Sequence, residues 1–564
     1  MHLVLHRVDG GVTATPLTDA GEPAGEPTRL DEPGLPAFVA AHDAPDVRWV
    51  WDDTARWYPA VLAAGGRVGR CVDLRLCRRI LRGALAARGT ALATAPPDTW
   101  DDPGQEARPT RPTRPTQARL FDDALFTVAP ADDAADPVAE FRRQLDAVAT
   151  STTPGALRLL TTAESAGALV AAEILSAGLP WRPDVHERLL EEELGPRVPT
   201  GVRPRRLEEL AGEIRAHLGD PALNPDSPAD VLRSLRAVGL MVTSTRKWEL
   251  QELEHPVIAP LLEYKRLSRL LTANGWAWLD EWVQDGRFHP KYVVGGVVTG
   301  RWAAAGGGAM QLPRTVRSAV VADDGWAFVV ADAAQLEPRV LAAMAGDRAM
   351  ATAGDGRDLY DGVVASGAVE TRQQAKGAML GAMYGATQGD AGRLVPRLAR
   401  AFPAALGLVD RAARAGERGE PVTTLLGRTS PVPDEAWFAA RNRAWSVDGT
   451  PAQQRAVEGR ARSWGRFTRN FVVQGTAAEW ALAWMGSLRT RLATRFPGPL
   501  TAGPHLVFFV HDEIVVHTPV EHAAFVAEQV RAAAVDAGRL LFRDFPVVFP
   551  LTVSTVRDYG AAKD

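Results

Sequence analysis

Leu506-Val-Phe-Phe-Val-His-Asp-Glu-Ile-Val-Val-His517 decides the fold. Two apolar runs rich in β-branched and aromatic residues flank His511, Asp512 and Glu513, so the segment reads as a β-hairpin with acids at its tip. The Asn-Gly or Asp-Gly pair that favours a tight hairpin turn is missing, so turn chemistry alone explains these acids poorly. A purely structural tip stays open as the alternative.

Working outward, a second apolar strand ends in a carboxylate: Trp326-Ala-Phe-Val-Val-Ala-Asp332. It is followed at once by Ala-Ala-Gln-Leu-Glu-Pro-Arg-Val-Leu-Ala-Ala-Met344, which reads as a helix. Alone, Asp332 reads as a helix cap at least as well as a catalyst. Taken with Asp512 it reads differently. Two carboxylates at the ends of separate strands can hold two Mg²⁺ ions about 4 Å apart, the pair used for in-line phosphoryl transfer.

The third stretch is Thr371-Arg-Gln-Gln-Ala-Lys-Gly-Ala-Met-Leu-Gly-Ala-Met-Tyr-Gly385. Arg372, Lys376, Leu380 and Tyr384 recur every four residues and share one side of a helix. Two cations followed by an aromatic suit a triphosphate with a base beyond it; a solvated basic face is the plainer reading. Only 5 of the 64 basic residues are lysines, so a lysine at 376 stands out.

The net charge of −4 does not argue against a nucleic-acid partner, because distribution matters more than the total. Between Arg372 and Arg469, 16 Arg and Lys stand against 8 Asp and Glu, and a polyanion would seat there. With 46% hydrophobic and 23% charged residues over 564 positions, a folded protein of at least two domains is expected. The N-terminus lacks a signal-peptide pattern and no run of about 20 apolar residues stands out, so a cytoplasmic protein without membrane contact is expected. Cys71 and Cys77 have no ligand set around them and read as buried apolar fillers. His505, His511 and His517 are equally spaced, but a hairpin tip would separate them, which disfavours a metal site.

Residues 1–95 mix strand-like runs at 47–51 with helical ones at 56–64 and 74–86, a small α/β module that extends to 150 at most. Residues 96–119 carry three Arg-Pro-Thr triplets and read as an extended linker. Beyond 150 the pattern is mostly helical, including 163–177, 229–240 and 260–282, with strands only around the two acidic stretches.

Three motifs in this order resemble the bacterial DNA polymerase I family, or family A. Asp332-Ala-Ala-Gln-Leu-Glu-Pro-Arg339 is similar to the family's first palm motif, Arg372 to Gly385 to its fingers helix, and Val510-His-Asp-Glu513 to its second palm motif. Weaker likenesses lie at Thr299-Gly-Arg301 with Gln311 and Arg317, at Arg469-Asn-Phe-Val-Val-Gln474 with Gly475 to Glu479, and at 224–228 and 262–267. The resemblance covers most of 150–564. It implies a multidomain α+β right-hand polymerase: a thumb at about 200–285, fingers at about 346–469 and a palm from the rest, preceded by a ribonuclease H-like exonuclease-type module.

The resemblance also implies the roles. Asp332 and Asp512, with the carbonyl of Ala333, would hold two Mg²⁺ ions, or Mn²⁺ in their place, with Glu513 close by. Arg372, Lys376, Leu380, Tyr384, Gln335 and Glu337 would line the site of the incoming deoxynucleoside triphosphate, Glu337 as the gate against a ribose 2′-hydroxyl. Arg301, Gln311, Asn470, Gln474 and His511 would touch primer-template DNA. A monomer working in gap filling or repair at the nucleoid is implied.

Departures from the family pattern are Leu380 where an aromatic is usual, Ala333-Ala334 for Tyr-Ser, Pro338 for Leu, and Tyr360 for a phosphate-contacting His. No Asp-x-Glu occurs in 1–150, so the module reads as degenerate and without proofreading, and Asp52, Asp53 and Asp73 as solvated or capping residues. A 5′ nuclease is not expected, the chain starting too late to hold one. Rival readings are a catalytically weak DNA-binding scaffold of the same fold, a phosphatase-like hydrolase, which would want an acid where Ala334 stands, and a nuclease.

Overall fold

The computed structural model describes residues 1–101, 135–199, 201–385 and 389–563; the Arg-Pro-Thr triplets lie outside them. The chain divides into two compact units. One comprises residues 1–177, 291–305 and 329–555, the other 178–290, 306–328 and 556–564.

The first unit opens with a five-stranded sheet of order β3-β2-β1-β4-β5. Strands β1 (His2–Val8) and β2 (Gly11–Leu17) form an antiparallel hairpin across Asp9-Gly10, where Gly10 takes a φ of 77°. Strand β3 (Thr28–Leu30) pairs antiparallel with β2, while β4 (Arg48–Trp51) and β5 (Cys71–Asp73) continue parallel from β1. Each parallel strand runs straight into a capped helix. Asp53 accepts from Ala55 N–H ahead of α1 (Thr54–Ala63), and Asp73 from Leu76 N–H ahead of α2 (Leu74–Gly83). These aspartates cap as expected, but they are buried rather than solvated. Cys71 and Cys77 are buried free thiols.

Helices α3 (Pro137–Thr150) and α4 (Pro154–Ala177) follow. By length and composition α4 is apolar enough to cross a membrane, the one such helix among the described residues, contrary to the expectation of none. Its apolar face has a nearer explanation: 56% of the apolar window is buried, and Val170 and Ile174 belong to a hydrophobic core.

That core lies against a four-stranded sheet of order β7-β8-β6-β9. Strand β6 (Trp326–Ala333) leads into α5 (Leu336–Ala345), and α6 (Arg372–Tyr384), α7 (Pro403–Arg418) and α8 (Pro451–Arg495) come next. Then come β7 (His505–Val510), β8 (Glu513–Pro519), α9 (Ala523–Phe542) and β9 (Leu551–Val556). Val329, Ala331 and Ala333 point into the core at the period of two that a strand imposes. On β7 the core residues Leu506 and Phe509 are three apart, because a register shift between Leu506 and Phe508 inserts one residue.

Helix α8 has 45 residues, roughly 67 Å at 1.5 Å per residue, and begins in a Thr450/Gln453 capping box with Pro451 at its first turn. Its Phe467, Phe471 and Val473 belong to a second core with Met379, Ala382, Leu406 and Val409. Its Trp480, Trp484 and Leu488 belong to the first. Between them, a Cβ on Gly475 would lie 2.4 Å from Thr424 Cγ2 and 3.0 Å from the Thr299 carbonyl oxygen. Gly475→Ala would gain roughly 1 kcal/mol of helix propensity. The clash outweighs that gain, so a net loss of about 1–3 kcal/mol is expected, read as a lower urea midpoint.

The second unit is mainly helical, with Pro183–Leu194, Arg205–Leu218, Pro228–Ala237 and Ile258–Asn274 among its helices. The helix expected over 260–282 is two helices. Gly275 ends the first, where a Cβ would sit 2.3 Å from the Leu271 carbonyl oxygen, and Trp276–Trp282 follows. Trp181, His186, Trp278 and Phe288 pack ring against ring in this unit.

Candidate active site on the palm sheet

Strands β6 and β8 are neighbours, and the Ala333 N–H donates to the Asp512 carbonyl at 3.0 Å, which sets the ends carrying Asp332 and Asp512 side by side. His511 forms the hairpin tip with a left-handed φ of 56°, a conformation that normally falls to Gly or Asn. Val510 faces Glu513 across the turn, and Glu513 is buried. His505 and His517 turn out to be cross-strand neighbours with ring centroids 5.6 Å apart, while His511 stands apart at the exposed tip.

Asp512 is pushed up to about 6, first by burial and then by the charge of Asp332, against the pull of Arg301. A divalent cation held between the two carboxylates would offset the repulsion that Asp512 feels from Asp332. Among the described residues no group of three or more His, Cys, Asp or Glu is arranged for a metal. A pair is nevertheless a sufficient protein contribution for Mg²⁺, which keeps waters and takes substrate phosphates as further ligands.

Glu337, on the first turn of α5, accepts from the Tyr384 hydroxyl at 2.8 Å and pairs with Arg301. Burial, and next the Glu337 charge, raise the Tyr384 phenol above its usual range, while Asn470 bonds to it from α8. Arg301, expected at the duplex, is thus held by the expected gate residue. Asn470 and Gln474 are buried on α8, and Arg469 ties the end of α6 through the Ala382 carbonyl at 2.7 Å and α7 through Asp410.

At the other end of α6, Arg372 Nη2 lies 2.7 Å from Asp358 Oδ2, and its guanidinium sits 5.6 Å from the Tyr360 ring centroid. The same Asp358 oxygen accepts from Gln335 Nε2 at 3.0 Å, so the side chain of Gln335 is directed at Asp358. Its backbone, at a φ of 50°, opens α5. Lys376 is exposed and Leu380 packs at the edge of the second core. Gln311 belongs to the second unit, on the turn Ala309–Gln311, with Arg269 at 3.4 Å.

Some positioning residues escaped the sequence reading. The Tyr292 hydroxyl donates to the Phe509 carbonyl at 2.7 Å and accepts from its N–H at 3.1 Å, fixing the strand that leads to Asp512. Arg489 on α8 meets Glu173, Tyr58 and the carbonyls of Val68 and Gly69, joining the N-terminal sheet to the rest of its unit. Neither sits in a local pattern that marks it; only the tertiary fold brings the partners together.

Paired aspartates at the ends of the two inner strands of a four-stranded sheet, with a helix of cations and a tyrosine tied through Glu337 to the helix that follows one of them, define the class of right-hand polymerases. The profile of "DNA polymerase family A" matches residues 203–556, and the chain belongs to that family. Among curated relatives, DNA polymerase I of Chloroflexus aurantiacus is 29% identical over 59% of this chain and 35% of its own length. The thermostable DNA polymerase I of Thermus filiformis is 27% identical over 69% of this chain and 49% of its own, and that of Thermus aquaticus 26% over 58% and 38%. The chain thus spans about a third to a half of these relatives. The POL domain of Pol1 from M. smegmatis, solved in complex with DNA primer-template and dNTP, matches with a TM-score of 0.67 over 100% of this chain and 96% of that one. At 18% identity this is a likeness of fold.

Proposed function

We propose that the chain is a template-directed DNA polymerase that adds deoxynucleotides to a primer 3′-hydroxyl, working in gap filling or repair in the cytoplasm without proofreading. The juxtaposition of Asp332 and Asp512 carries this reading, with α6 tied through Tyr384 to Glu337 on the helix that follows Asp332. Asp332, Asp512 and the Ala333 carbonyl would hold two Mg²⁺ ions, which when bound activate the attacking hydroxyl and neutralise the leaving pyrophosphate. Exposed Lys376 supplies a point charge for the triphosphate, and Arg372 a planar fork that Asp358 now orients. Glu337, fixed between Arg301 and Tyr384, stands where a ribose 2′-hydroxyl would have to fit.

The absence of proofreading is supported by the N-terminal sheet. Strand β1, His2-Leu-Val-Leu-His-Arg-Val8, carries no carboxylate, and both Asp73 oxygens accept from Leu76 and Thr54 instead of facing a metal.

The test is primer extension on a recessed template with Mg²⁺ and four deoxynucleotides, watching for primer shortening. Extension without shortening supports the whole reading. Tight primer-template binding with no extension overturns it in favour of a scaffold, the outcome to which Leu380 and Ala333-Ala334 would then be assigned. In the same assay Glu337→Ala is expected to raise ribonucleotide use relative to deoxynucleotide by about tenfold or more, since the gate and its two partners are released together.

A further inference from the structure

A cavity of about 450 Å³ opens at the C-terminal ends of the parallel strands β4 and β5, where α/β sheets commonly bind ligands. It is walled on the far side by α4 and by residues 291–294. Its volume lies within the range of small-molecule sites, roughly 300–1,000 Å³. It shares no residue with the paired aspartates of the palm.

The wall has two kinds of surface. Ala168, Ala171 and Ala172 give α4 a low, smooth apolar face, and the rings of Trp100 and Tyr292 stand at its sides. Such a slot accepts a flat ring system more readily than a branched chain. The lining also carries charged groups. Arg75 is held 5.4 Å over the Trp100 ring, and exposed Lys291 makes no side-chain hydrogen bond among the described residues. Of the acids that line the cavity, Asp73 spends its oxygens on Leu76 and Thr54, and Asp101 on Arg78 and Arg82.

Asp53 differs. It is 6% exposed, one oxygen caps α1 through Ala55, and the other accepts no hydrogen bond among the described residues although the side chain lines the cavity. That oxygen is left to the cavity, and a donor group entering there can satisfy it. Lys291 is then available for an anion, with Arg75 beside it: its Nη1 donates to the Thr99 and Trp100 carbonyls at 3.4 Å, while its Nε has no hydrogen-bond partner among the described residues.

We infer that this cavity is a binding site for a small aromatic anion: a flat ring system against α4, Trp100 and Tyr292, a negative group toward Lys291 and Arg75, and a polar atom toward Asp53. A nucleoside monophosphate and an aromatic carboxylate share this chemistry. An occupant would press on Tyr292, whose hydroxyl holds Phe509, three residues before Asp512.

The probe is 8-anilinonaphthalene-1-sulfonate, titrated into the intact chain with fluorescence and calorimetry, and then displaced by deoxyadenosine monophosphate or 2-naphthoate. One saturable site per chain is expected, weakened about tenfold by Lys291→Glu and by Ala171→Trp, which fills the slot. Lys291→Glu changes an exposed side chain and keeps the test interpretable where the tryptophan overpacks the helix. Displacement by either competitor supports the site and identifies its source. Displacement by neither, or unchanged affinity in both variants while their melting temperatures match the parent, overturns it.

Discussion

Asp332→Ala and Asp512→Ala are each expected to lower primer extension by on the order of 10³-fold or more, with primer-template affinity little changed. The size follows from position. Both side chains sit at strand ends fixed by the sheet, and the Ala333 to Asp512 hydrogen bond leaves neither free to replace the other. Neither is a structural keystone: each is only half buried, and removing one relieves repulsion from the other. Melting temperature is therefore expected to stay level or rise as activity disappears. Loss of activity together with a drop in melting temperature would show instead that the aspartates hold the sheet. Asp512→Asn, which keeps the shape of the tip, separates charge from packing and is expected to be as inactive as the alanine.

Arg489→Ala is expected to lower the unfolding free energy by about 3–5 kcal/mol, the scale for leaving one member of a buried ion pair alone. Arg489 and Glu173 are 4% and 3% exposed, 2.8 Å apart, and share the Tyr58 hydroxyl. Burial alone would push Glu173 up, but Arg489 and Arg67 hold it below the usual glutamate value of 4.5. Since the folded-state value is the lower one, this stabilisation is present above about 4.5 and lost as pH falls through the folded value. The variant should accordingly show a shallower acid dependence than the parent in urea titrations. Arg489→Lys should recover little, because one ammonium cannot reach Glu173, Tyr58 and two carbonyls at once. Arg489→Met with Glu173→Leu should recover much of the loss by removing both charges.

The palm was legible in the sequence because its strands are short apolar runs that end in acids, and such patterns survive without tertiary knowledge. The same holds for α6, whose cations, leucine and tyrosine recur every four residues along its length. The helix break at Gly275 was less visible, since a lone glycine in a helical pattern ends a helix only when its surroundings are crowded. Partners of Glu337, Asp358 and Arg489 were invisible for another reason. Those that tie separate elements together are 14 to 431 positions away in sequence, and the choice of partner depends on which helix face meets which strand. The membrane-length apolar character of α4 was missed in the sequence, and its burial in the core accounts for that character.

Helix α8 supplies side chains to two cores, with Val473 in one and Ala477 in the other. Each residue of an α-helix turns the chain by about 100°. A single residue inserted between these positions would rotate one set of core side chains by that angle against the other. Substitutions along the helix can be absorbed one at a time, whereas insertions and deletions cannot. Among relatives of this chain, length variation should therefore collect in the connections before Thr450 and after Arg495 and leave the span between Val473 and Ala477 constant.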